Sequence, residues 1–307
     1  MIFSDELRKR TAFAEEVLRK YLPQDVSYAD RVLEASAYSL TAGGKRLRPV
    51  LMKEAYNMYG GGEEYIEPFM AAIEYIHNYS LVHDDLPAMD NDLLRRGKET
   101  THVVFGDGMA TLAGDCLLNL SFETALKAFD LIPEGISTEE RQSVTLRIIK
   151  ALKILFDKAG INGMLGGQSA DVDSEKRGLP IDEKKLMFIH EKKTAALIEA
   201  AFMTGAVLAG AEERDVSLME SLGSDIGIAF QIKDDMLDVI GDEKKLGKHV
   251  GSDAENDKVT YVTMYGLERS EADQRRLSGS AIEKLDSAGK ECPFLRELLL
   301  SLVNRQA

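Results

Sequence analysis

Apolar residues recur every three or four positions through most of this 307-residue chain, as in FAEEVLRKYL, SVTLRIIKALKILF and LRELLLSLV, and no other feature constrains the fold as strongly. On a helix such spacing gathers apolar side chains on one face, whereas a half-buried strand needs strict alternation. Alternating runs rich in β-branched residues are scarce. Clusters of Gly, Pro and Asn separate the helical stretches: TAGGKRLRP, GGGEE, LPAMDND, LIPEGIS, EKRGLP and GDEKKLGKHVGSD. No low-complexity linker or shift in composition marks a boundary, so an all-α fold in one large domain over residues 1–307 is expected.

An apolar content of 44% against 29% charged suits a folded protein with a substantial core. Acidic residues outnumber basic ones, 52 to 38, and the formal net charge of -14 repels nucleic acid and anionic lipid. No nucleic-acid partner is expected, and an anionic ligand must meet locally concentrated positive charge from arginine, lysine or metal. Two cysteines, Cys116 and Cys292, cannot build a disulfide framework, and Cys/His metal spacings are absent. Those features fit a reducing cytoplasm, and MIFSDELRKR lacks the apolar core of a signal peptide. The longest weakly charged run, TAALIEAAFMTGAVLAGA from Thr194 to Ala211, carries Glu199 and is dominated by Ala, Gly and Thr. It reads as a buried helix with a small-residue face, not a membrane span.

One internal echo stands out. YSLVHDDLPAMD and AFQIKDDMLD are both apolar helical stretches that end in paired aspartates, with another aspartate a few residues later. At about 100° per residue, Gln231, Asp234, Asp235 and Asp238 fall within a sector of roughly 100°. In the first copy His77, Ser80 and Asp84 lie at i, i+3 and i+7, while Pro87 ends the helix and leaves Asp90 in a loop that can fold back. Carboxylates focused on one point repel one another without a counter-charge. Oxygen-only ligands with no cysteine partners point to Mg²⁺ or Mn²⁺, and Mg²⁺ shares its shell between carboxylates and substrate phosphates. Basic residues accompany the same motifs: Lys45 and Arg48 in GGKRLRP, Arg95 and Arg96 in LLRRG, Lys193 beside Thr194, and Lys248 in LGKHVGSD. Singly each is an ordinary solvated cation; together, in an acidic chain, they match phosphate binding.

The ordered set GGKRLRP, YSLVHDDLPAMDNDLLRRG, LAGD, GGQSADVD, HEKKTAALI, FQIKDDMLD and LGKHVGSD resembles the motifs of the trans-isoprenyl diphosphate synthases, closest to the bacterial farnesyl and geranylgeranyl diphosphate synthase branch. The resemblance implies helices around a deep central cavity and a homodimer. It implies that Asp84, Asp85, Asp90, Asp234 and Asp238 bind Mg²⁺ bridging to an allylic diphosphate, with Asp235 close by. Arg95, Lys193, Thr194, Gln231 and Lys248 match positions that hold the allylic diphosphate. Lys45, Arg48, His77 and Arg96 match the isopentenyl diphosphate pocket, and Gln168 and Lys258 match further polar positions. The implied reaction is head-to-tail condensation of isopentenyl diphosphate with dimethylallyl or geranyl diphosphate. Tyr79, five residues before the first motif, resembles the chain-length position of farnesyl producers, with Ser80 beside it. Gly223 and Gly227, on the stripe leading to Gln231, read as room for an isoprenoid chain, and Ala195, where the family often has Gly, as a small trim of the pocket. Asp171 and Asp173, extra acids in SADVDSE, read as residues of the cavity rim or surface.

Competing readings are a geranylgeranyl diphosphate synthase, a terpene cyclase, a phosphohydrolase built on His83-Asp84, and an inactive regulatory subunit. A cyclase needs no second diphosphate pocket, and five histidines at poor spacing do not supply a phosphohydrolase metal centre.

Overall fold

In a computed structural model the chain is described over residues 3–24, 27–241 and 259–303, where the regular secondary structure is helical except for one short hairpin. The helices are α1 (Phe3–Tyr21), α2 (Asp30–Thr41), α3 (Leu47–Met58), α4 (Glu67–Asp84), α5 (Thr101–Phe105), α6 (Asp107–Leu126) and α7 (Thr138–Ala159). They continue with α8 (Met164–Arg177), α9 (Glu183–Ile189), a π-helical turn at His190–Ala195, α10 (Ala196–Ala209) and α11 (Glu213–Ile240). Beyond these lie α12 (Tyr261–Tyr265), α13 (Leu267–Ser287) and α14 (Pro293–Val303). The expected all-α class is what the chain adopts. Its contacts group into two compact units: Ile2–Lys53 with Glu63–Ile148, and Glu54–Gly62 with Ile149–Ala307.

The first unit is built on α4. A Pro in its first turn suits a helix start, where its missing N–H costs no intrahelical hydrogen bond. The segment is apolar on every side, and Phe69, Met70, Ile73, Tyr75, Ile76 and Tyr79 are all buried. Such a helix is stable only when neighbours surround it, and α4 packs chiefly on α6 and also on α1. The Tyr75 hydroxyl donates to the Leu18 carbonyl of α1 at 2.7 Å, so its buried polar tip is satisfied.

In the second unit α11 packs on α10 and α13. The weakly charged run from Thr194 forms the end of the π-helical turn and the short α10, whose side chains are buried. Its one acid, Glu199, is ion-paired with Lys158 of α7, which also reaches Glu220 at 2.6 Å. No described helix is long and apolar enough to cross a membrane.

The α10–α11 contact corrects one expectation. Gly223 and Gly227 do not open space for a ligand: a Cβ on Gly223 would lie 2.7 Å from the Glu199 Cα, and one on Gly227 would overlap Ala195. The glycines exist to let two backbones approach, and Ala195, fully buried, fills that contact and not a pocket. Gly227→Val is expected to cost about 3 kcal/mol and to lower Tm by roughly 5 °C or more, read by thermal unfolding. An unchanged Tm would restore the reading of an open stripe.

Candidate active site

In the first unit, α4 stops at Asp84 because Pro87 lacks an N–H and its ring excludes further helix. The chain then folds back: the Asp90 N–H donates to the Asp84 carbonyl at 2.9 Å, and Met89 donates to Leu86 at 2.8 Å. Asp90 therefore returns beside the helix end, as the position of Pro87 anticipates. Asp84 is half-buried, Asp85 buried and Asp90 exposed.

The following hairpin aims the arginine pair. Leu94–Arg95 pairs antiparallel with Lys98–Glu99, and the two intervening residues, Arg96 and Gly97, both have positive φ, 54° and 74°. A two-residue turn with both φ positive matches the natural strand twist, and Gly97 adopts it without cost. Arg95 turns back to Asp85, donating from Nε at 2.8 and 3.0 Å to its two carboxylate oxygens, while Arg96 donates to the Gly43 carbonyl. Burial raises the Asp85 pKa, with Arg95 opposing the rise; burial alone would lower Arg95, but Asp85 holds it above its usual value.

His77 lies about two turns before this motif, half-buried. Its pKa is driven well below 6.5, first by burial and then by the positive field of Arg48, Arg96, Arg95 and Arg46. It is a neutral imidazole in a cationic surround. Arg48 is lowered by its own burial, and its buried Nε–H has no hydrogen-bond acceptor among the described residues. An orphaned donor beside three other guanidiniums is what an anion site needs before its anion arrives. Lys45 is exposed at the same loop.

In the second unit a cavity of about 180 Å³ is lined by Asp171, His190, Lys193, Thr194, Gln231, Asp234 and Asp235, among others. Lys193 Nζ is 2.7 Å from Asp171 Oδ2. The Thr194 hydroxyl donates to Gln231 Oε1 at 2.8 Å, and Gln231 Nε2 donates to Asp235 at 2.9 Å. The Tyr261 N–H donates to the other Asp235 oxygen at 2.8 Å, and His190 Nε2 lies 3.6 Å from it. Asp235 is thus a buried anchor, while Asp234 is half-buried on the cavity wall and Asp238 buried one turn on. The π-helical turn supplies His190, Lys193 and Thr194 from a single loop of backbone, a distortion common at functional sites.

The first motif, its arginines and His77 share the first unit, and the second motif with Lys193, Thr194 and Gln231 shares the second. Gln168 is half-buried on α8. Lys248 and Lys258 lie outside the described residues. The sequence reading missed Arg46, Glu74 and His190, and set Asp171 aside as a rim acid although it holds Lys193. Only His190 carried a signal, three residues before Lys193 on the same helical face.

The donor chemistry fits a hard divalent cation: Asp84, Asp90, Asp234 and Asp238 offer carboxylate oxygens without a soft ligand. Among the described residues no three acidic, histidine or cysteine side chains already enclose an ion. A site completed by water and phosphate oxygens needs no such cage.

The depressed His77 pKa has a consequence for stability. A histidine neutral in the fold but protonated near pH 6.5 when unfolded gives the unfolded chain the greater proton uptake, so stability falls as pH drops below about 6.5. Exchanging His77→Gln should flatten that fall, measured as Tm from roughly pH 7.5 down to roughly pH 5. An undiminished slope would remove His77 as the titrating group.

Residues 29–298 match the family model described as polyprenyl synthetase. A farnesyl diphosphate synthase of Bacillus subtilis is 45% identical over 261 residues, 85% of this chain and 83% of the relative. A geranylgeranyl diphosphate synthase of Cyanophora paradoxa is 41% identical over 264 residues, 86% and 83%. Among solved structures, a Helicobacter pylori geranyltransferase complexed with magnesium and isoprenyl diphosphate superposes with a TM-score of 0.79 at 30% identity, covering 99% of this chain and 97% of that one. The chain belongs to the polyprenyl synthetase family and is a prenyltransferase.

Proposed function

We propose that the protein, as one catalytic domain over residues 1–307, condenses isopentenyl diphosphate head to tail with dimethylallyl or geranyl diphosphate, releasing diphosphate and making chiefly farnesyl diphosphate. The observation that carries the reading is that cations collect in two places. Arg48, Arg95 and Arg96 stand about a neutral His77 in one, and Lys193 beside Thr194 and Gln231 in the other. A terpene cyclase would need only one diphosphate site.

Asp84, Asp85 and Asp90 of the first motif, with Asp234 and Asp238 of the second, would hold Mg²⁺, for which Mn²⁺ can substitute. When bound, Mg²⁺ supplies charge neutralisation on the departing diphosphate. Arg95, Lys193, Thr194, Gln231 and Lys248 grip the allylic diphosphate, and donors fixed before reaction stabilise the charge that develops as its C–O bond breaks. Lys45, Arg48, His77 and Arg96 hold the isopentenyl diphosphate, whose double bond attacks the allylic cation. The proton lost from the adduct passes to the released diphosphate. Lys258 and Gln168 complete the polar surround.

Farnesyl length is supported by Tyr79, a buried ring one turn and a half before Asp84. The competing geranylgeranyl product is supported by the similarity to the Cyanophora paradoxa enzyme. A homodimer is supported by the exposed apolar side chains Leu112, Phe122 and Leu126 on α6. A cytoplasmic setting agrees with the two free cysteines.

Two measurements check these assignments. Asp84→Ala or Asp234→Ala should abolish condensation, roughly a thousandfold loss or more, while the protein stays folded. Near-normal turnover at saturating Mg²⁺ would sink the two-motif model. Chromatography of dephosphorylated products should show Tyr79→Ala shifted toward geranylgeranyl or longer chains and Ser80→Phe toward geranyl. A wild-type product of four or more isoprene units would overturn the farnesyl assignment.

A further inference from the structure

Four guanidiniums gathered around one imidazole need internal counter-charge. Asp85 serves Arg95 directly. The other buried carboxylate is Glu74, one turn before His77 on α4 and 2% exposed. It accepts from Arg46 Nη1 at 3.0 Å, and Arg46, itself 3% exposed, also donates to the Leu40 carbonyl and lies 3.7 Å from the half-exposed Glu15. Arg46 sits at φ 47°, a left-handed backbone that turns its side chain into the fold between the outward-facing Lys45 and the start of α3. Asn78 braces the same turn by donating to the Glu74 carbonyl at 2.8 Å.

Neither Arg46 nor Glu74 is placed to hold a substrate, because both are sealed from solvent. Their charges are felt nonetheless: Glu74 supports the protonated forms of Arg48 and Arg96, and Arg46 opposes protonation of His77 and Arg96. Buried charges act on neighbours through a medium that screens them weakly. We propose that Glu74 is a positioning residue which, paired with Arg46, sets the net charge of the isopentenyl diphosphate pocket. This rests on the assignment of Arg48, His77 and Arg96 to that substrate.

The test is the sign of the response. Glu74→Gln keeps the shape and one acceptor for Arg46 but removes a negative charge, so the KM for isopentenyl diphosphate should fall by about threefold. Arg46→Met leaves Glu74 uncompensated and should raise it by about tenfold. In the double variant Arg46→Met with Glu74→Met the KM should lie between the two, and the KM for the allylic diphosphate should move less than that for isopentenyl diphosphate throughout. Glu74→Asp, which keeps the charge, should lie nearer wild type than Glu74→Gln. A pair that merely packs would instead change both KM values together, in one direction, in step with Tm. That result overturns the proposal. Should Glu74→Gln fail to fold, comparison of Arg46→Met with the double variant reads the same charge, and no drop in KM on removing Glu74 overturns it equally. Arg96→Ala separates the two levels of inference. An unchanged KM for isopentenyl diphosphate there removes the pocket assignment and the role of Glu74 with it. A raised KM there, without responses of opposite sign at positions 46 and 74, removes the role of Glu74 alone.

Discussion

Like charges can be gathered inside a fold only if other charges hold them there, and this protein supplies the holders one by one. Arg46 is met by Glu74, Arg95 by Asp85 and Lys193 by Asp171. Breaking a buried pair by removing one partner costs about 3–5 kcal/mol, so these carboxylates determine where cationic side chains can rest. The pairs differ in what they do next. Arg95 and Lys193 are partly exposed and can exchange a carboxylate for a phosphate oxygen, whereas Arg46 and Glu74 are sealed and keep each other. An acidic chain thereby presents concentrated positive charge at chosen points, with the buried Nε–H of Arg48 left for an arriving anion.

Helix approach is the second constraint. Thr194 comes from the turn before α10 and Gln231 from α11, and their hydrogen bond requires those two backbones to run close together. Gly223 and Gly227 permit that approach, and Gly167 permits α8 to press against the backbone of Lys192 and Lys193. Small residues at these points decide the register in which hydroxyl, amide and carboxylate meet. Asp235, held by Gln231, Tyr261 and His190, is the fixed point from which Asp234 is offered to the cavity.

The helices were legible because their apolar period runs for many turns, and the aspartate motifs because a helical wheel needs no tertiary information. The return of Asp90 followed from Pro87 alone. What stayed hidden depends on partners distant in sequence. A glycine on a stripe leaves room either for a ligand or for a neighbouring helix, and only the position of Ala195 and Glu199 decided for the helix. Asp171 looked like a surface acid because its partner is twenty-two residues on, at Lys193. The hairpin that aims Arg95 and Arg96 has strands of two residues, too short for any alternation to register. Arg46 sits between two readable cations, but its left-handed backbone reverses the direction that neighbours would lead one to expect.

Tyr79, proposed above as the chain-length position, illustrates how far a site residue can depend on such contacts. Tyr79 does not stand alone: its ring meets the edge of His83 at 5.9 Å, with the planes 80° apart. His83 is in turn fastened to α6, its Nε2 lying 3.0 Å from the Thr111 carbonyl and its ring occupying the space where a Cβ on Gly114 would go. Burial, with Asp84 nearby, pushes the Tyr79 hydroxyl up to about 12, further still from ionisation than an ordinary tyrosine. A floor for a growing apolar chain must be uncharged and must not yield under it. In the role proposed for it, Tyr79 would meet the first condition as a neutral phenol, and the second through a histidine clamped by a neighbouring helix at Gly114.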